Sequence, residues 1–105
     1  MIQQIHHPAL SVKDLDRSLR FYRDLLGMRL DWRIDHRKSK ELEKIVGLND
    51  VDVSYAMLSG WGAQIELFQY HSPAGRPYPE NKPVCDPGIT HMAFEVKGID
   101  AFCQQ

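Results

Sequence analysis

A chain of 105 residues has room for one small domain, which buries about 65% of the surface its unfolded form exposes, so a multi-domain assembly is excluded. With 43% hydrophobic and 26% charged residues and a mean hydropathy of -0.41, the composition is that of a water-soluble folded protein rather than a disordered, collagenous or membrane-spanning one. Thirteen Lys and Arg against fourteen Asp and Glu leave a net charge of -1, too weak a field to attract a nucleic-acid backbone or an anionic bilayer.

Taken in chain order, residues 4–12 alternate with period two and predict a first strand, Leu10 and Val12 on one face, His7, Ala9 and Ser11 on the other. Asp14 is placed to cap a helix over residues 15–26, because its carboxylate can accept from the free amides of the next turn. Leu15, Leu19, Tyr22 and Leu26 recur at helical spacing, Phe21 and Leu25 widen the stripe, and Gly27 supplies the stop. Met28, Leu30, Trp32 and Ile34 alternate in a second strand. The charged stretch 36–47 carries a short apolar stripe, Leu42, Ile45 and Val46, and predicts a short surface helix ending on Gly47.

Strands at 51–58 and 63–70, joined at Ser59-Gly60-Trp61-Gly62, read as a hairpin. In its second arm Ile65 and Leu67 share one face, and Gln64, Glu66, Phe68 and Tyr70 the other. Five prolines over residues 71–87 argue for a linker. Residues 89–96 predict another strand, and a helix begins near Ile99, where the chain soon stops. The two cysteines, Cys85 and Cys103, lack CxxC spacing and give neither a disulfide framework nor a cysteine zinc knuckle. With no signal-peptide pattern and no span of about 18 apolar residues, a cytoplasmic location is expected.

Residues 5–16, IHHPALSVKDLD, overlie residues 89–100, ITHMAFEVKGID, at an offset of 84 with six of twelve positions identical. Solenoid repeats run from about 20 to 50 residues, so this period suits a duplicated domain. The expected fold class is therefore α+β, built of paired βαβββ modules that form a cupped mixed sheet. The first module occupies 1–70, the linker 71–87, and the start of a second, truncated module 88–105. On this reading the chain is a fragment or completes its fold with a partner molecule.

A rough two-fold relation between modules would bring equivalent strands to one cleft and present His7 and His91 to it together. Glu66, opposite Ile65 and Leu67 on its strand, points the same way. Two imidazoles and a carboxylate suit a divalent metal such as Zn, Ni, Fe, Mn or Co, with positions left open for water or substrate oxygens. His6 is expected to face Leu10 and Val12 in a structural role, since its counterpart in the repeat is Thr90. His36 and His71 lie in polar, loop-like surroundings and read as solvent-facing. Glu95 fits a cleft-rim ion pair as well as a substrate contact. Arg33, Arg37, Lys38 and Lys40, followed by Glu41 and Glu43, read as a solvated helix rather than an anion site.

The segments IHHPALSVKDLDRSLRFYRDLLGMRL, QIELFQY and ITHMAFEVKGIDAF resemble the vicinal oxygen chelate superfamily, which includes glyoxalases, epimerases, extradiol dioxygenases, and fosfomycin and bleomycin resistance proteins. The opening H-x4-V-x-D-L-x-x-S-x-x-F-Y-x-x-x-L-G, His7 to Gly27, carries most of this resemblance. It implies paired βαβββ modules around a metal, with ligands falling on His7, Glu66 and His91. Members normally add a glutamate from the last strand of the second module, and the chain ends before it, so no general base can be named.

The function that the resemblance implies is a metal-dependent lyase or isomerase acting on a small substrate with vicinal oxygens through an enediolate, the working form a homodimer or an intramolecular pair of modules. Whether the chain alone is an enzyme stays open. The alternatives are an extradiol dioxygenase or thiol transferase, and a non-catalytic drug-binding protein in which Trp32, Tyr55, Trp61 and Phe68 stack the ligand.

Overall fold

The computed structural model describes residues 1–103. In chain order they form β1 (Ala9–Ser11), α1 (Leu15–Leu19), β2 (Arg29–Arg37), α2 (Lys40–Val46), β3 (Asp52–Gly60), β4 (Ala63–Ser72) and α3 (Ile99–Cys103). The strands make one mixed sheet in the order β1-β4-β3-β2, with β1 parallel to β4 and the other neighbours antiparallel. This is the α+β class expected, and the short helix expected over 36–47 is present as α2 between the second and third strands.

Local chemistry accounts for most element ends. The Asp14 carboxylate accepts from Arg17 N at 3.1 Å and caps α1. Ser39 Oγ accepts from Leu42 N at 3.2 Å and caps α2, which stops at Gly47 in the left-handed region, φ 72°. The β3–β4 hairpin turns through Trp61 and Gly62, φ 53° and 80°, the paired positive angles that match the twist of the flanking strands. β1 is much shorter than residues 4–12 because Pro8 has no N–H to give the ladder; its carbonyl accepts from Glu66 N at 3.0 Å instead.

Beyond Leu19 the helix widens into a π-helical stretch, Arg20–Leu25. The i→i+5 pattern adds a residue to the turn, so side chains past this point rotate off the stripe that a 3.6-residue period projects. Leu15 and Leu19 are buried and Tyr22 packs against the core, whereas Phe21 and Leu25 stay exposed.

β2 departs from its pattern for a related reason. Its pairing with β3 shifts register between Leu30 and Trp32 and again between Ile34 and Arg37. A bulge inserts a residue and swaps the faces beyond it. Leu30 therefore opposes Leu58 on the α1 side, while Trp32 and Ile34 oppose Met57 and Tyr55. The single face expected for Met28, Leu30, Trp32 and Ile34 does not exist.

The sheet is covered on both faces. Under α1, Leu15, Leu19, Met28, Ala56, Leu58, Ile65 and Leu67 form one core, joined by Leu10, Val12, Tyr22 and Leu30. Under α2, Leu42 and Val46 pack with Val51, Val53, Tyr55, Phe68 and Tyr70. Leu15, Leu19, Leu58 and Leu67 are almost wholly buried, each burial contributing about 1.5–3 kcal/mol. β3 lies between both cores, which explains its near-continuous burial.

Residues 73–98 form neither helix nor strand. The proline-rich linker thus begins after Ser72, where β4 ends. The strand expected at 89–96 is not formed, because a strand exists only with a hydrogen-bonded neighbour and this segment joins no edge of the sheet. Ile89, Met92, Phe94 and Val96 remain exposed. The helix expected near Ile99 is present as α3. No helix among the described residues is long and apolar enough to cross a membrane, and Cys85 and Cys103 are both unpaired and exposed.

Candidate metal centre

His7 precedes β1, and Glu66 sits on β4 opposite Ala9. Parallel pairing of β1 with β4 brings His7 Nε2 to 3.4 Å from Glu66 Oε1, with side chains 29% and 14% exposed. Two ligands bonded to one tetrahedral zinc-like ion at about 2.0–2.2 Å lie roughly 3.3–3.6 Å apart, so this histidine–carboxylate pair has the donor types and the spacing that one divalent ion would take. Glu66 shares its face with Phe68 and Tyr70. Burial, with a smaller contribution from the Glu66 charge, pushes the Tyr70 hydroxyl above its ordinary range.

His91 does not join them. It lies exposed in the irregular segment, its Nδ1 3.0 Å from Thr90 Oγ1, and Glu95 is exposed in the same segment. His6 is also exposed, not laid on the Leu10 and Val12 face as expected. Its Nδ1 is 2.6 Å from His7 Nδ1 and the two rings meet edge to face. Strand alternation has no hold on residues that precede β1.

An aromatic row continues the Glu66 face. Phe68 stacks on Tyr55 at 5.1 Å and 10°, Phe68 and Tyr70 are 6.2 Å apart, and Trp32 meets Tyr55 edge-on at 5.5 Å. Arg37 Nη1 donates to the Tyr55 hydroxyl at 2.7 Å. Trp61 is excluded from this row, since the hairpin turn carries it out to solvent, where it meets Phe94.

On the α1 side, the structure gathers residues that sequence reading had set apart. His36, Asp52 and His71 place one potential ligand atom each within 4.8 Å of one another. They belong to β2, β3 and β4, not to loops, and their proximity follows from the strand order. His36 and His71 are solvent-exposed as expected, but stack on each other at 4.2 Å and 21°. They flank a cleft of about 440 Å³ that also meets Lys13, Arg17 and Arg33. Arg33 lies on β2, not on a helix, and bridges Asp16 of α1 at 2.6 Å and Asp35 at 3.0 Å. Those hydrogen bonds raise the Arg33 guanidinium and hold Asp35 below the usual carboxylate range.

Comparison with known proteins agrees with this βαβββ unit. Residues 4–105 match the sequence profile of the Glyoxalase/Bleomycin resistance protein/Dioxygenase superfamily. A lactoylglutathione lyase of Haemophilus influenzae is 67% identical over 103 residues, covering 96% of this chain and 64% of that protein. The uncharacterized protein YaeR of Escherichia coli K12 is 31% identical over 100 residues, covering 95% and 66%. The chain therefore spans about two thirds of the length of these relatives. A crystal structure of a glyoxalase family protein from Bacillus cereus superposes with a TM-score of 0.86 at 22% identity, over 99% of this chain and 70% of that one, a likeness of fold. With that profile matching residues 4–105, the chain belongs to the glyoxalase, or vicinal oxygen chelate, superfamily.

Proposed function

We propose that the protein is a glyoxalase-like lyase or isomerase, moving a proton between adjacent carbons of a small substrate with vicinal oxygens through an enediolate. The observation that carries this reading is the His7–Glu66 pair, 3.4 Å apart across β1 and β4, in a chain 67% identical to a lactoylglutathione lyase over the matched residues. A divalent metal (Zn, Ni, Fe, Mn or Co) bound there supplies Lewis acidity toward the substrate's two oxygens and acidifies the neighbouring C–H.

The chain's own residues hold and enclose. His7 offers its Nε2, and Glu66 offers a carboxylate anchored by the Pro8 O···Glu66 N ladder bond. Tyr55, Phe68 and Tyr70 keep water from the adjoining face. His91 completes the ligand set once residues 88–105 pair as the opening of a second module, after the 71–87 linker, within one protein or between two copies in a homodimer. Support comes from the exposed apolar residues Ile89, Met92, Phe94 and Val96 and from α3, which follows them in the chain as α1 follows β1. Two unpaired, exposed cysteines fit a reducing, cytoplasmic setting. The parallel Tyr55–Phe68 stack favours, as a second reading, a drug-binding protein that holds a flat ligand without metal.

The test measures bound metal and turnover together. The purified protein should take up metal and convert a hemithioacetal, and His7→Ala, Glu66→Gln and His91→Ala should each abolish turnover and lower the bound metal by one equivalent. Oxygen uptake with a catechol and no hemithioacetal turnover would replace the lyase by a dioxygenase. A protein that binds a flat drug but no metal would establish the second reading.

A further inference from the structure

We propose that His36, Asp52 and His71 form a second divalent-metal site, on the opposite face of the sheet from His7 and Glu66. Glu66 and His71 both lie on β4, separated by five residues. At about 3.3 Å per residue that is roughly 16 Å, and an odd number of steps puts them on opposite faces. One ion cannot serve both pairs.

Three adjacent strands supply the ligands. His36 stands at the second β2 bulge with φ 52°, and this re-aims its ring toward β3, where its Nδ1 lies 2.9 Å from Asp52 Oδ1. Ser54, 2% exposed, is the fixed point beneath them. Its Oγ accepts from the His36 backbone N at 3.1 Å and lies 2.8 Å from His71 Nε2. In the tautomer that donates Nε2–H to Ser54, the His71 Nδ1 lone pair is the one presented to a metal, the same second-atom anchoring that orients most metal-binding imidazoles.

The donor atoms lie within 4.8 Å of one another and need to close to roughly 3.3 Å around an ion bonded at about 2.0–2.1 Å. Both imidazoles are exposed, so turning them out of their 4.2 Å stack moves nothing in either core. Among the described residues, the ammonium of Lys38, 4.0 Å from Asp52 Oδ2, is the one cation paired with this carboxylate besides His36, and its side chain is 72% exposed and can swing away. Two imidazoles and one carboxylate select Zn, Ni, Co or Cu over Mg or Ca. Three protein ligands leave a position open toward the cleft, where Lys13 and Arg17 would meet an anionic ligand of the metal.

The test uses the complete chain without a histidine tag, stripped of metal and titrated with zinc chloride or nickel chloride by calorimetry while the His36 and His71 ring signals are followed by NMR. His7→Ala combined with Glu66→Gln should still bind one ion, with both ring signals shifted by zinc and broadened by nickel. His71→Ala should abolish that event, and Ser54→Ala should weaken it about 10- to 100-fold. The assignment is overturned if the His7→Ala, Glu66→Gln chain keeps its circular dichroism spectrum yet takes up neither metal. It is equally overturned if metal saturates the protein without moving either ring signal. Binding lost only on changing His7 or Glu66 would leave the proposed lyase site standing and refute this one, whereas binding lost only on changing His71 would do the reverse.

Discussion

Truncating Leu67 to alanine tests the link between the α1 core and the His7–Glu66 pair. Leu67 is wholly buried, opposite Leu10 of β1 and Ala56 of β3, in the core that includes Leu15 and Leu19. Removing three carbons costs about 2.4 kcal/mol in transfer at about 0.8 kcal/mol each. The cavity left behind brings the total to about 3–4 kcal/mol, within the range for buried leucines. For a domain of this size that lowers Tm by roughly 12–30 °C. Because β1 is only three residues long, Leu10 packed against this core is what keeps the strand, and His7 before it, beside β4.

Urea unfolding followed by circular dichroism measures the loss at constant m. Ile45→Ala on α2, where the side chain is 79% exposed, is the control and should stay within about 0.5 kcal/mol. A Leu67→Ala loss under about 1 kcal/mol, or a loss at Ile45 of equal size, would refute the packing argument.

Tyr70 holds its proton more tightly in the folded state than at its ordinary value of 10.0, mainly through burial. Its contribution is therefore fully present below pH 10 and is lost as pH rises through the folded value; Tyr70→Phe should flatten alkaline unfolding, and an unchanged slope would count against this. Arg33 keeps Asp35 below its ordinary 3.8, so that contribution is present above 3.8 and fades as pH falls. Arg33→Ala should return the Asp35 titration, read by NMR, toward 3.8 and cost no more than about 1 kcal/mol, since Asp16 and Asp35 are more than half exposed and water screens the pairs. An Asp35 titration that stays depressed without Arg33 would show that another group holds it down.

Much of the candidate site was legible because it depends on local periodicity. Alternation placed Glu66 opposite Ile65 and Leu67, and the structure buries those two leucine-side neighbours under α1 while Glu66 faces His7. The N-cap at Asp14 and the stop at Gly47 were readable for the same reason, since a cap is a contact between residues three or four apart. His36, Asp52 and His71 gave no such signal. They stand 16 and 19 residues apart, and only the pairing of β2 with β3 and β3 with β4 makes them neighbours.

What the amino-acid order determined by itself was the succession of strands and helices from β1 to β4, the amphipathic face of α1 and the parity that sets Glu66 apart from the core. Tertiary structure decided the rest: the bulges that turn Trp32 and Ile34 to the α2 side, the π-helical widening that frees Phe21 and Leu25, and the absence of a strand at 89–96. The physical reason is range. Side-chain direction along a regular element is set by a residue's nearest neighbours, but a bulge, a register or a strand's existence is set by hydrogen bonds to a partner that lies far away in the chain.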